Sequence, residues 1–125
     1  MIKKIFTVLL PMALLSSCFY DKEELLYMTT DLNCDTSDVT YNQTIAPIIS
    51  TYCLSCHGNS VAAINGKNIK LENYSDLKVQ VDNGNFRGTV FHENGYPEMP
   101  KDAGILNNCN LTKIDIWLIA GAPDN

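Results

Sequence analysis

Two stretches of the chain repeat apolar residues at three- and four-residue spacing, and no stretch alternates with the period of a strand. Ile45, Ile48, Ile49 and Tyr52 form the first stripe. Thr40-Tyr41-Asn42-Gln43 in front of it fits a capping box, with Thr40 as N-cap and Gln43 three residues on. A helix is therefore predicted from about Tyr41 to Tyr52. Pro47 removes a donor and clashes one turn back, which predicts a kink there or a start nearer Ile45. Ile114, Trp117 and Leu118 form the second stripe, ahead of Gly121. Thr112-Lys113-Ile114-Asp115 gives a similar capping pattern, so a terminal helix is predicted over Lys113 to Ala120, closed by Gly121. Ser75 to Val81 predicts a short helix ending near Gly84, and Phe86 to Phe91 another turn or helix. Gly58 to Lys70, rich in Asn and Gly, reads as loop. The fold class is all-α. The stripes read as core faces, and Trp117, the only Trp, as a packing residue rather than a redox relay.

The N-terminal run has a different character. Lys3 and Lys4 precede Ile5 to Leu15, an apolar stretch of 11 residues interrupted by Pro11. A membrane-spanning helix needs roughly 20 apolar residues, so this stretch reads as a secretory signal and stands apart from the fold. It runs into Leu15-Ser16-Ser17-Cys18. That sequence resembles the lipobox of bacterial lipoproteins, which implies cleavage after residue 17 and lipidation of Cys18. Each buried methylene of an acyl chain contributes roughly 0.8 kcal/mol, and two or three chains anchor stably. Lys22-Glu23-Glu24 looks like the export signal that carries Bacteroidota-type lipoproteins to the cell surface; it reads equally as a solvated charge cluster. Asp21 to Asp38 has no sustained apolar period and reads as a tether within residues 18–38. The folded domain is expected at 39–125.

Composition narrows the function classes. At 125 residues one domain is expected, and with 18% charged residues the chain is no disordered polyelectrolyte. The net charge is −5. Removing positions 1–17 takes away two Lys and no acid, leaving seven basic against 14 acidic residues and a charge of −7. That sign argues against nucleic acid as a partner, since phosphate neutralisation needs clustered Lys and Arg. About 87 residues form a marginal core, which a disulfide, a metal or a large apolar cofactor would complete.

The five cysteines carry the chemistry. Cys53-Leu54-Ser55-Cys56-His57 is a Cys-x-x-Cys-His motif, the signature of covalent haem attachment. Two thiols three residues apart project to one side and reach the two vinyl groups on one porphyrin edge. The adjacent His then points at the iron as proximal ligand. A thioredoxin-like redox motif would follow a strand, and none precedes Cys53. A structural zinc site needs four ligands, and only Cys109 and His92 offer themselves to complete one. With Cys18 assigned to lipid and Cys53 and Cys56 to haem, Cys34 and Cys109 remain. In an oxidising compartment they are expected to pair, a closure worth on the order of 4 kcal/mol. Two free buried thiols are the alternative.

A second axial ligand has two downstream candidates, Met99 and His92. Met99 lies in Tyr96-Pro97-Glu98-Met99-Pro100, where two prolines stiffen an extended loop. A Met thioether would stabilise reduced iron, a His would lower the potential, and an open site would suit gas binding.

Residues 39–125 resemble a small class I cytochrome c domain. The resemblance rests on Ile45-Ala46-Pro47-Ile48-Ile49 before the Cys motif, on Met99-Pro100, and on Ile116-Trp117-Leu118-Ile119-Ala120-Gly121-Ala122-Pro123. It implies first and last helices crossing beside one covalent haem c, thioethers at Cys53 and Cys56, and His57 and Met99 as axial ligands. The function it implies is one-electron transfer without substrate turnover, by a carrier lipid-anchored in the bacterial cell envelope, on the periplasmic side or the outer-membrane surface. The acidic mature chain suits a redox partner with a basic docking patch. The competing expectations are a haem-based gas-binding module and a structural lipoprotein held by zinc or a disulfide.

Overall fold

The computed structural model describes residues 34–101 and 103–125. The expected signal segment, the lipidation site Cys18 and the tether up to residue 33 lie outside the described residues. Among the described residues six α-helices follow one another: α1 Ala46–Tyr52, α2 Leu54–His57, α3 Ala62–Asn65, α4 Tyr74–Asp82, α5 Asn85–Val90 and α6 Asn108–Ile119. There is no strand among the described residues, and the fold is all-α.

Pro47 explains how the first helix begins. A π-helical turn, Tyr41–Ile45, runs directly into α1. Its wider loop lets the Ala46 N–H donate to the Tyr41 carbonyl, five residues back. Pro47 then falls in the first turn of α1, where its missing N–H costs nothing. The expected kink is thus a change of helix type. Thr40 caps the turn as predicted, with Oγ1 accepting from the Gln43 N–H at 3.3 Å. The return bond belongs to Thr44, not Gln43: the Thr40 N–H donates to Thr44 Oγ1 at 3.4 Å. The far end of the chain completes the cap. Asn125 accepts from the Tyr41 N–H through Oδ1 at 2.8 Å and from the Asn42 N–H through its backbone oxygen at 2.9 Å.

The last helix starts five residues before the predicted Lys113. Asn107 is its N-cap, accepting from the Asn110 N–H at 2.9 Å, and Asn is a stronger cap than Thr. Thr112 therefore lies inside the helix. The C-terminus closes as predicted: the Gly121 N–H reaches the Leu118 carbonyl and the Ala122 N–H that of Trp117, a Schellman pair. The stretch 58–70, predicted as loop throughout, contains α3.

Ile45, Leu77, Ile114 and Trp117 are the largest fully buried side chains of the core, and each such burial contributes roughly 1.5–3 kcal/mol. Tyr52, expected on the buried stripe, is 37% exposed, because α1 ends there and the chain turns at Cys53. The first and last helices meet through stacked Tyr41 and Trp117 rings, 6.0 Å between centroids. Tyr74 of α4 packs edge-on against Tyr41 at 5.0 Å. Cys34 and Cys109 form a disulfide with a Cα–Cα separation of 5.5 Å, tying the segment before Thr40 to the start of α6. α5 is joined to α6 by an ion pair between Arg87 and Asp115. Asp115 is buried in the core, and its carboxylate hydrogen bond raises the already high pKa of the Arg87 guanidinium.

Two outcomes test this packing. Peptide mapping without reductant is expected to recover Cys34 and Cys109 in one linked fragment; alkylated, free Cys34 would contradict the bridge. Arg87→Leu leaves a buried carboxylate without its partner and is expected to lower unfolding free energy by about 1–3 kcal/mol in urea titrations. An unchanged midpoint would mean that Asp115 is satisfied elsewhere.

Candidate functional site

The Cys motif sits where one helix stops and another starts. Cys53 closes α1, its N–H donating to the Ile49 carbonyl at 2.8 Å. Its own carbonyl accepts from the Cys56 and His57 N–H groups at 3.1 and 2.8 Å, which winds Leu54–His57 into the single turn of α2. Cys53 and Cys56, three apart across that turn, both remain free thiols. They differ in surroundings. Cys53 packs against the apolar core, and burial pushes its thiol up to about 11. Cys56 is exposed.

His57 is fixed by the chain that returns past it. Its Nδ1 lies 2.9 Å from the Ile69 carbonyl. A carbonyl only accepts, so the hydrogen resides on Nδ1, and Nε2 keeps its lone pair for a metal. The Leu71 N–H donates to the His57 carbonyl at 3.0 Å, so ring and backbone are held by the same short segment. Gly66 lets that segment approach. A methyl group there would fall under 3.0 Å from the Cys56 carbonyl oxygen and 2.9 Å from His57 Nδ1. Glu72 closes the return, accepting from the Asn59 N–H at 2.6 Å. Two free thiols on one turn, followed by a His with Nε2 available, form a donor set that fits a covalently held haem.

Met99 is half-buried in the loop between α5 and α6, its N–H donating to the Thr89 carbonyl at 3.0 Å. His92, the rival ligand, serves that loop instead: its Nε2–H donates to the Met99 carbonyl at 3.0 Å. The zinc alternative loses its fourth member, because Cys109 is bonded to Cys34. No group of three or more His, Cys, Asp or Glu side chains gathers for a metal among the described residues. Trp117 is a packing residue, fully buried, with Nε1–H donating to the Pro123 carbonyl at 3.0 Å.

Sequence reading did not single out Gly66, Ile69 or Glu72. The Asn and Gly content of 58–70 signalled a loop, but a backbone carbonyl 12 residues from its His leaves no trace in residue types.

The thiol asymmetry has a direct readout. With the haem-free chain at mildly alkaline pH, iodoacetamide is expected to label exposed Cys56 well ahead of Cys53, because only thiolate reacts and burial raises the Cys53 thiol. Mass-spectrometric time courses on the two peptides check this, and equal rates would refute the buried thiol. Compared with known proteins, the chain matches no protein-family model, no curated protein and no solved structure.

Proposed function

We propose that the chain is a lipid-anchored, mono-haem c-type cytochrome that carries single electrons in the bacterial cell envelope. The observation that carries this reading is the His57 ring, locked by the Ile69 carbonyl with Nε2 free, directly after two unpaired thiols on one helical turn. The bound haem supplies an iron that cycles between two oxidation states. The residues do the rest. Cys53 and Cys56 would hold the porphyrin through thioethers, their S–H bonds adding across its two vinyl groups with no net redox change. His57 Nε2 would bind the iron, and the Nδ1–H bond to the Ile69 carbonyl fixes the ring and strengthens it as a donor. Met99 would supply the second ligand, from a loop whose backbone is fastened to α5. On this reading the helices form a class I cytochrome c fold, with α1 and α6 beside the haem.

Partner choice follows from charge. The mature domain's excess of acids suits a redox partner with a basic docking patch, and the association rate should fall with ionic strength. Anchoring through Cys18 confines the carrier near its partners and raises their effective concentration. No substrate is transformed.

Expression with haem-maturation machinery and visible absorption spectra of the oxidised and reduced protein test the proposal. A coloured protein with covalently bound haem is expected, and a colourless one would favour a structural lipoprotein. Met99→Ala is expected to abolish the ferric Met-to-iron charge-transfer band and to admit carbon monoxide to the reduced protein. Rapid carbon monoxide binding by the unaltered protein would instead identify a gas-binding module.

A further inference from the structure

The loop that carries Met99 is fastened to α5 at several points. The Glu93 N–H donates to the Gly88 carbonyl at 2.9 Å and turns the chain back on the helix. The Tyr96 N–H donates to the Glu93 carbonyl at 3.1 Å. The Met99 N–H then reaches the Thr89 carbonyl, and His92 holds the Met99 carbonyl, both at 3.0 Å. One further contact is purely steric. The Tyr96 ring covers Gly88 so closely that a methyl group there would fall under 3.0 Å from ring atoms Cγ, Cδ1 and Cδ2.

Gly88 needs an explanation that its backbone does not supply. It is buried inside α5, and it is not among the glycines with positive φ. Glycine in a helix interior is unfavourable relative to alanine, so the helix gives up stability at this position. What it gains is a bare surface on which an aromatic ring three residues before Met99 can lie flat.

We propose that Gly88 and Tyr96 are positioning residues for the Met99 thioether, the ring-on-glycine contact presetting the loop before the sixth ligand binds. This rests on the reading of Met99 as that ligand. A preset loop loses little conformational entropy when the thioether closes on the iron, so the closed state dominates. Loss of the ring contact frees the loop and opens the sixth position to outside ligands. The same contact thus separates an electron carrier from a gas-binding module.

The test uses the full haem-loaded chain with Gly88→Ala, Tyr96→Ala, Tyr96→Phe and the double variant Gly88→Ala/Tyr96→Ala. Haem content is measured as the pyridine haemochrome, ligation by the ferric Met-to-iron band, and closure by carbon monoxide capture in the reduced state. Tyr96→Phe keeps the ring and is expected to match the parent. Gly88→Ala and Tyr96→Ala are each expected to weaken the band and speed carbon monoxide capture about tenfold, at parent haem content, as the closed population falls. The double variant is expected to be no worse than Tyr96→Ala, since the added methyl then meets no ring. Tyr96→Ala carries the comparison if Gly88→Ala does not fold. A band and capture rate unmoved by Tyr96→Ala, or effects that simply add in the double variant, would overturn the lock alone. A haem-bearing parent without the band overturns the Met99 assignment and the lock with it. A parent without haem overturns the underlying reading.

Discussion

Trp117 sits where three helices of the domain meet, and the other contacts are arranged around it. Its ring is fully buried and stacks on Tyr41, which in turn meets Tyr74 edge-on. The polar edges of this aromatic group are satisfied by the chain's last turn. Trp117 Nε1–H goes to the Pro123 carbonyl and the Tyr74 hydroxyl to that of Ala122. Asn125 then caps the helix that Tyr41 begins. Large aromatic area is thus buried without an unsatisfied donor, which a low-dielectric interior demands. Once Tyr41 is held against α6, the direction of α1 is set, and with it the place where Cys53 emerges.

A domain of this size has little core to spare, and its polar contacts are placed where loss of order would matter most. The disulfide draws Cys34 and Cys109 together across 75 residues of sequence. Arg87 bridges Asp115 and Glu93 and lies over the Phe91 ring at 4.8 Å, so α5 is held to α6 at one end and to the loop after it at the other. The segment after His57 is short and satisfied: its carbonyl at residue 69 and its amide at residue 71 both serve His57. Two segments held by these contacts result. One presents His57 and the thiols, the other the Met99 loop.

Much of the helical layout was legible in the residues. The 3–4 stripe through Ile45, Ile48 and Ile49 marks a core face, and the Gly121 stop is a local matter of backbone freedom. Thr40 was readable as a cap because capping depends on neighbours two or three residues away. The misreadings were of competition. Thr112 was read as the start of the last helix, and Asn107, a stronger cap five residues earlier, took it. Asp115, read as part of a cap, is instead turned inward to Arg87, 28 residues away. Tyr52 fits the stripe by period, yet the helix ends before its ring is covered.

The sequence by itself determined the helical class and the Cys-x-x-Cys-His spacing, and it raised the expectation that Cys34 and Cys109 pair, which the structure joins in a disulfide. Each of these depends on residue type and short spacing. Only the tertiary structure decided which nitrogen of His57 carries its hydrogen, that His92 braces the Met99 loop, and that the Tyr96 ring covers Gly88. Those facts depend on backbone carbonyls and on the room between elements. Neither is encoded in any single residue, because both arise only when segments distant in sequence pack together.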